Sequence, residues 1–284
     1  MHVADPRSLL AKYGLYAKKS WGQNFLIAPG IHEQLVRAAV RSEDDWVVEI
    51  GAGLGTLTAR LAQAAPRGFV IAIERDRDMA LVLRNELGDL PNLEIAEANA
   101  LTFDFREVAS RAGKRIAVVG NLPYQIASPL LFHVLAARGA IERVVVMLQK
   151  EMADRLLARP GSREYGALGV MVSTYAQARL VVRAPAGAFH PAPKVDSAVL
   201  ELDPYPSGEP RSRILDEDLY SQVVHAAFSQ RRKTLRNALR ARFPEQAVDS
   251  ALRLAGIDGA RRGETLSVEE FASIANALKT PGHA

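Results

Sequence analysis

The sequence of 284 residues contains no cysteine, which excludes disulfides, thiolate metal sites, iron–sulfur clusters and a cysteine nucleophile. Long hydrophobic runs are also missing, since apolar stretches such as Val144–Leu148 are far too short to span a bilayer. The first residues lack the apolar core of a signal peptide, and Asp5 and Pro6 fit a transit peptide poorly. We therefore expect a cytoplasmic protein without a membrane partner.

A large excess of charge of either sign is absent as well. The 36 Lys and Arg residues stand against 32 Asp and Glu residues, and the resulting net charge of +4 points only weakly to a polyanionic partner. With 48% hydrophobic and 24% charged residues, the composition is that of an ordinary globular protein rather than a disordered one. The length suits one large or two modest domains.

Strand and helix patterns alternate over the first half of the chain. Short apolar runs predict strands at Val47–Ile50, Phe69–Ile73, Leu93–Ala96, Ile116–Val119 and Val144–Leu148, with helices at Thr56–Ala65, Asp78–Glu86 and near Pro129–Ala137. This alternation predicts an α/β fold with a doubly wound, mostly parallel sheet. Two later strands, Leu180–Val182 and Ser197–Leu202, would close the sheet as an antiparallel pair.

Proline and glycine fill Asp203–Pro210, which marks this segment as a linker. Beyond it, only helical periodicity remains, over Asp218–Arg242, Ala247–Leu254 and Val268–Lys279, the last capped by Ser267. The prediction is a catalytic domain over residues 1–203, which includes a basic N-terminal arm, and a smaller all-helical domain over residues 204–284.

A glycine-rich loop, Gly51–Gly55, lies between the first predicted strand and its helix. Glycines there permit a tight turn and close approach to a ligand, and the helix start favours anionic groups. A dinucleotide fingerprint would need glycine at position 56, where Thr56 stands. The G-x-G-x-G spacing resembles the first motif of S-adenosylmethionine-dependent methyltransferases, and Glu74, after the next strand, can accept hydrogen bonds from ribose hydroxyls. A purely structural glycine turn is the alternative.

The tetrapeptide Asn121-Leu122-Pro123-Tyr124 follows the fourth predicted strand, at the strand end where α/β sheets bind ligands. It resembles the active-site motif of methyltransferases that modify exocyclic amines of planar bases. Such an amine is a poor nucleophile, because its lone pair is delocalised into the ring. The Asn121 oxygen and the Leu122 carbonyl, aimed by Pro123, can accept its two N–H bonds and localise the lone pair, while Tyr124 stacks on the base. An Asn-Pro turn with a packed tyrosine is the alternative.

Five ordered motifs together resemble one family, the small-subunit rRNA adenine dimethyltransferases (the kasugamycin-sensitivity methyltransferase). They lie at Lys18–Leu26, Val48–Thr58, Asn121–Tyr124, Phe189–Ser197 and Phe228–Leu235, and the resemblance runs from about residue 7 to 279. It implies a Rossmann-like methyltransferase sheet, S-adenosylmethionine as methyl donor and no metal. It also implies a monomer that dimethylates two adjacent adenosines near the 3′ end of 16S rRNA, within the 30S subunit or its precursor.

The resemblance also implies residue roles. It assigns donor binding to six residues: Asn24, Leu26, Gly51, Glu74, Asn99 and Asn121. It assigns the target base to Asn121, Leu122, Tyr124 and Phe189, with core packing as the alternative for Phe189. One departure is Asn99-Ala100, where the family usually has Asp-Ala; an Asn oxygen can still accept a hydrogen bond from the donor's adenine. Trp21 stands where the family varies, and no role is predicted for it.

Basic residues without a nearby acidic residue characterise the segment from His225 to Phe243. On one continuous helix, Arg232, Arg236 and Arg240 would share a face at i, i+4 and i+8. Such a stripe suits RNA phosphates, and a solvated helix face is the alternative. The arm would add Lys12, Lys18 and Lys19 to the RNA surface.

Three other functions remain open from the residues. A 23S rRNA adenine dimethyltransferase shares the tetrapeptide chemistry, although the length of the C-terminal part and the Ser229–Leu235 motif favour the small-subunit enzyme. A non-catalytic ribosome-assembly or RNA-binding factor would not require an intact Asn121–Tyr124 motif. A small-molecule methyltransferase leaves the basic segment unexplained.

Overall fold

The computed structural model describes residues 5–18, 21–123, 126–230 and 232–279. The chain divides into two compact units. The first comprises the described residues of Met1–Ala153 and Ala178–Pro204, and the second those of Asp154–Gln177 and Tyr205–Ala284.

The strands, in chain order, are β1 (Phe25–Leu26), β2 (Trp46–Ile50), β3 (Phe69–Glu74), β4 (Leu93–Glu97), β5 (Ile116–Asn121), β6 (Ile141–Gln149), β7 (Ala176–Ala184), β8 (Phe189–His190) and β9 (Ser197–Pro204). The helices are α1 (Pro6–Tyr13), α2 (Pro29–Ala39), α3 (Thr56–Ala64), α4 (Arg77–Leu87), α5 (Phe105–Ala112), α6 (Ala127–Ala136), α7 (Lys150–Leu157), α8 (Ala167–Tyr175), α9 (Glu217–Ser229), α10 (Leu235–Arg240), α11 (Glu245–Ala255) and α12 (Val268–Lys279). Short 3-10 turns cover Arg138–Ala140, Ala186–Ala188, Pro206–Gly208 and Gly263–Thr265.

A seven-stranded sheet in the order β4-β3-β2-β5-β6-β9-β7 forms the centre of the first unit. The strands from β4 to β6 pair in parallel, and β9 pairs antiparallel with β6. Strands β2, β5 and β6 are almost fully buried, as expected for a parallel sheet covered on both faces. The predicted doubly wound, mostly parallel sheet is confirmed, and the two later predicted strands, β9 and β7, lie at its end.

A second, two-stranded sheet joins distant parts of the first unit. Strand β1 pairs antiparallel with β8, so that Phe25 faces His190 and Leu26 faces Phe189. Because this pair links the N-terminal arm to the proline-rich loop before β9, it fixes the arm against the sheet-bearing part of the chain.

The second unit contains the helices α8 to α12. Ser267 and Glu270 form a capping box at the start of α12, in which the Glu270 N–H donates to the Ser267 hydroxyl and the Ser267 N–H donates to the Glu270 carboxylate. The predicted cap is confirmed. The segment Asp154–Gln177, which the sequence placed in the first domain, groups with this unit; there the Tyr165 hydroxyl donates to the Leu266 carbonyl at 2.9 Å.

The prediction of one helix over Asp218–Arg242 is wrong. Helix α9 ends at Ser229 and α10 begins only at Leu235. The interruption has a local cause: Thr234 has extended backbone and its hydroxyl accepts the Asn237 N–H, so it caps a new helix instead of continuing the old one.

Candidate active site

The carboxyl ends of β2, β3, β4 and β5 meet at one edge of the sheet. From β2 the chain proceeds to β3 and β4 on one side, and then returns to β5 on the other side of β2. This reversal of strand order is the switch point at which open α/β sheets bind ligands. The glycine loop follows β2 and Asn121 ends β5, so both predicted motifs lie at this point.

The three glycines of the loop all have left-handed backbone, with φ of +72° at Gly51, +56° at Gly53 and +80° at Gly55. At Gly55 a Cβ would lie 2.7 Å from a Leu87 methyl carbon and 2.8 Å from one of Leu83. Glycine here therefore lets α3 begin against α4. At Gly51 the nearest atom to a Cβ would be the Asn121 carbonyl at 3.8 Å, so this position borders open space toward a ligand.

Glu74 is 8% exposed and accepts two backbone hydrogen bonds, from the Gly53 N–H at 2.8 Å and the Asp76 N–H at 2.7 Å. Burial raises its pKa, and these N–H donors partly oppose that shift. Each carboxylate oxygen keeps a second lone pair, because the two N–H groups use one on each. Glu74 can thus accept further hydrogen bonds from a ligand.

Asn121 is oriented by the N-terminal arm. Its Nδ2 donates to the Asn24 carbonyl at 3.0 Å, while the Asn24 side chain donates to the Gly22 carbonyl at 3.0 Å. This assignment follows from the hydrogen-bond network and leaves the Asn121 Oδ1 as an acceptor for a substrate. The next residue, Leu122, has a buried side chain and is fixed by its N–H to the Met147 carbonyl. Tyr124 lies outside the described residues.

Two clefts adjoin the glycine loop and, among the described residues, share the lining residues Trp21, Gly51, Glu74 and Pro123. The first cleft is also lined by Asn24, Leu26, Asn121 and Leu122. The second is lined by Asn99 and Ala100. The structure therefore brings the six predicted donor-binding residues together around two adjoining clefts.

Asn99 lies at the turn after β4. Its Oδ1 accepts the Leu101 N–H at 3.2 Å, and its carbonyl accepts from Thr102. One lone pair of the Oδ1 remains for a ligand in the second cleft. The geometry is compatible with the expected contact to an adenine amine.

Phe189 is 3% exposed and packs in the hydrophobic core with Leu26 and Val199. It lines neither of the two clefts described above. This position agrees with the core-packing alternative, and the role of Phe189 at the target base stays a prediction.

The basic side chains do not form the expected stripe. Arg232 lies in the turn before α10, not on a helix with Arg236 and Arg240, so the predicted common helical face is wrong. Asp249 on α11 pairs with both Arg240, at 2.6 Å, and Arg236, at 3.3 Å; Arg240 also pairs with Glu245. The sequence could not show this compensation, because Asp249 lies beyond the basic segment.

The arm lysines are paired as well. Lys12 contacts Glu86, and Lys18 contacts both Asp76 and Asp78 at 2.7 Å. These ion pairs attach the arm to α4, which makes the two lysines anchors of the arm rather than open RNA contacts. Lys19 lies outside the described residues.

Side chains that are not among the predicted site residues also line the first cleft, among them Glu49, His32 and Trp21. Glu49 is buried, and burial raises its pKa to about 8 although the Thr58 hydroxyl donates to it at 2.5 Å. His32 is buried too, and burial, with Arg60 nearby, lowers its pKa to about 4. Trp21 is 44% exposed. Glu49 is the residue that the sequence could have indicated, because an acidic residue is unusual inside a buried strand.

Comparison with known proteins gives a consistent result. A model of the family described as ribosomal RNA adenine dimethylase matches residues 14–280. The ribosomal RNA small subunit methyltransferase A of Myxococcus xanthus is 46% identical over 279 residues, covering 97% of this chain and 96% of that protein. The protein of the same name from Moorella thermoacetica is 45% identical, covering 98% of this chain and 99% of its own.

Solved structures agree with the sequence matches. A dimethyladenosine transferase from Plasmodium falciparum has a TM-score of 0.73 at 28% identity, covering 88% of this chain and 95% of that one. The 23S rRNA methyltransferase ErmE has a TM-score of 0.67 at 28% identity, covering 90% of this chain and 100% of its own. The expected Rossmann-like methyltransferase fold is thereby confirmed.

Among the described residues, no helix is long and apolar enough to cross a membrane. Within the same ranges, no group of three or more His, Asp or Glu side chains is arranged to hold a metal ion.

Proposed function

The chain belongs to the ribosomal RNA adenine dimethylase family, and from this premise we propose that it dimethylates two adjacent adenosines near the 3′ end of 16S rRNA. It is an S-adenosylmethionine-dependent rRNA adenine dimethyltransferase. The substrate is 16S rRNA within the 30S subunit or its precursor, and the enzyme acts as a cytoplasmic monomer. Two relatives that are named small subunit methyltransferases, at 46% and 45% identity over nearly the whole chain, support 16S rRNA as the substrate.

The residues at the sheet edge fit the methyl donor. Gly51 leaves open space where a side chain would stand, and Glu74 offers lone pairs at the end of β3 for ribose hydroxyls. Asn99 offers an acceptor for an adenine amine in the adjoining cleft. When bound, the donor supplies a methyl group on a positively charged sulfur. Asn24, Leu26 and Asn121 would border its other half in the first cleft.

The chemistry required of the protein is to raise the nucleophilicity of an adenine amine. The Asn121 Oδ1 accepts one N–H of that amine, and the Leu122 carbonyl accepts the other, so that the nitrogen becomes pyramidal and its lone pair points away from the ring. The buried Leu122 side chain and the arm contact to Asn121 hold both acceptors in place before substrate arrives. The target base must leave its stack to reach them, and Tyr124 and Phe189 are the proposed base contacts.

The observation that carries this proposal is the oriented Asn121 amide beside the glycine loop and Glu74. The decisive experiment is transfer of labelled methyl groups to 30S particles from a strain that lacks the modification. Naked 16S rRNA and 50S particles serve as comparison substrates, and Asn121→Ala serves as the inactive control. We expect label on 30S particles at the two adjacent adenosines, and label on 23S rRNA instead would refute the substrate assignment.

RNA recognition by the second unit is part of the proposal. Arg232, Arg236 and Arg240, which lie in the second unit, remain the candidate RNA-binding residues. Arg232 is exposed, whereas Arg240 is held by two carboxylates. Arg232 therefore carries the largest share of the expected phosphate contacts. Arg236 and Arg240 must break their ion pairs with Asp249 before they can bind phosphate.

A further inference from the structure

Trp21 occupies a position for which neither the motifs nor the comparisons give a role. Trp21 lines both clefts at the sheet edge, and the other described residues that line both are Gly51, Glu74 and Pro123. At 44% exposed, it is among the more exposed large hydrophobic side chains. A ligand in the clefts can cover a large apolar ring that is exposed beside them.

Hydrogen bonds hold Trp21 and its described neighbours in place. The Trp21 backbone N–H donates to the Lys18 carbonyl at 3.0 Å. The Gln23 side chain accepts the Lys18 backbone N–H and donates to the Asp76 carboxylate, each at 2.8 Å. Asp76, in turn, is 2% exposed and caps α4. The segment next to the glycine loop therefore holds the indole in place.

Two cations lie against the ring. The Lys18 ammonium is 5.6 Å from its centroid and the Arg75 guanidinium is 5.5 Å from it. Lys18 is also bound to Asp76 and Asp78, so its own position is determined by the start of α4. Cations within about 6 Å of an indole are attracted to its face. The ring is thus oriented before any ligand binds.

We propose that Trp21 is a donor-binding residue that covers S-adenosylmethionine where its two halves meet. This inference rests on the proposed function. Glu74, which would bind the ribose, and Trp21 line the same two clefts, so a ligand that extends through both must pass the indole. The contact is made by the ring surface and shields the donor from water. It does not depend on the transferable methyl group, so the demethylated product, S-adenosylhomocysteine, receives the same cover.

The sequence provides a matched control, because it contains two tryptophans. Trp46 begins β2, at the opposite end of that strand from the glycine loop, and stacks on Phe69 with ring centroids 5.0 Å apart. At about 3.3 Å per residue, five residues separate it from Gly51 by roughly 16 Å. Trp46 reports on the fold and lies away from the clefts.

The test is titration of full-length protein with S-adenosylmethionine and with S-adenosylhomocysteine, followed by tryptophan fluorescence and by calorimetry. In Trp46→Phe, where Trp21 is the remaining tryptophan, donor binding should change the emission as in the wild type. In Trp21→Phe the change should be lost, while calorimetry still detects binding. Trp21→Ala should raise the Kd of both ligands about tenfold, and Trp46→Ala by less than twofold.

Steady-state kinetics separate a donor contact from an RNA contact. Trp21→Ala should raise the KM for the donor and leave kcat and the KM for 30S particles unchanged, as expected when an equal contact to ground state and transition state is removed. A raised KM for particles with normal donor affinity would identify the ring as an RNA contact and overturn the inference. A donor-induced signal that persists in Trp21→Phe would also overturn it. If the wild type bound no donor, the proposed function itself would fail.

Discussion

The strand-end clefts and the basic segment around α10 hold their charges in different ways. In the clefts, Glu74 is buried and accepts hydrogen bonds from neutral donors, namely the backbone N–H groups of Gly53 and Asp76. Around α10, Arg236 and Arg240 are partly exposed and are paired with Asp249, a full opposite charge. Neutral partners leave a charge able to interact with a ligand, whereas an opposite charge must first be displaced.

Because of this difference, we expect a polyanion to bind the basic segment less strongly than the sequence of that segment suggests. Phosphate oxygens would compete with Asp249 for Arg236 and Arg240, but would find Arg232 exposed. The clefts, in contrast, keep unused lone pairs on Glu74 and on the oriented Asn121. Four predictions test this comparison.

The largest effect should come from removing the neutral acceptor at the end of β5. Asn121→Ala should lower the methylation rate by about a hundredfold or more, the size typical of losing one positioned polar group. Single-turnover assays on 30S particles measure this, while calorimetry checks that donor affinity falls much less. Near-normal turnover would contradict the role of Asn121.

The buried carboxyl of Glu49 should make stability depend on pH. Burial raises its pKa from an ordinary value of 4.5 to about 8. Between these two pH values the native state therefore keeps a proton that the unfolded state has lost. Its stabilising contribution is therefore complete below pH 4.5 and is lost as the pH rises to about 8.

Glu49→Gln cannot titrate and should remove that dependence. The drop in Tm between pH 5 and pH 8.5 should be smaller in the variant than in the wild type by a few degrees. For a domain of this size, that corresponds to a difference on the order of 1–3 kcal/mol in the free energy of unfolding. Differential scanning calorimetry at several pH values measures it. Equal pH profiles would show that Glu49 is already ionised at neutral pH.

The arginines should separate by their partners. Arg232→Gln should weaken binding to 30S particles by about threefold to tenfold and reduce the salt slope by about one, as expected for one lost phosphate contact. Arg240→Gln should change the slope less and lower thermal stability, because it leaves Asp249 with fewer partners. If the salt dependence of binding is unchanged even in the triple variant of Arg232, Arg236 and Arg240, these residues do not contact RNA and form a solvated surface.

The smallest effect should come from adding a charge to the clefts. Asn99→Asp should tighten donor binding about fivefold, or about 1 kcal/mol, because hydrogen bonds to ionised groups are stronger than neutral ones. Asn99→Leu should weaken it, since the partner amine would be left unpaired. Calorimetry on the three proteins decides, and equal affinity of the Leu and Asn proteins would show that residue 99 does not contact the donor.

Most of the first unit was predictable from local pattern. The carboxyl ends of parallel strands lie at the same edge of a sheet, so residues that follow different strands come close together. The alternation from Val47 to Leu148 therefore predicted the sheet, and Asn121 and Glu74 came together without knowledge of the side-chain contacts. The short strands β1 and β8 were not predicted, since two residues carry no periodicity.

What sequence could not predict depends on partners that are distant along the chain. The basic segment was interpreted as a single helical face, yet Thr234 starts a new helix there and Asp249 comes from α11. The lysines of the arm bind acidic residues of α4 in the same way. A stripe of basic residues predicts an open binding surface only if the helix is continuous and no acidic residue from a distant segment pairs with the stripe.

The pairing of β1 with β8 also determines when the clefts can be completed during synthesis. The paired residues, such as Phe25 and His190, are about 160 residues apart in sequence. At roughly 5–20 residues per second, the ribosome needs on the order of ten seconds to deliver the second strand after the first. The arm, which carries Trp21 and Asn24, cannot pair with β8 on the growing chain until that strand has emerged. A nascent chain that ends at β6 therefore holds the glycine loop but not the paired arm that lines the first cleft.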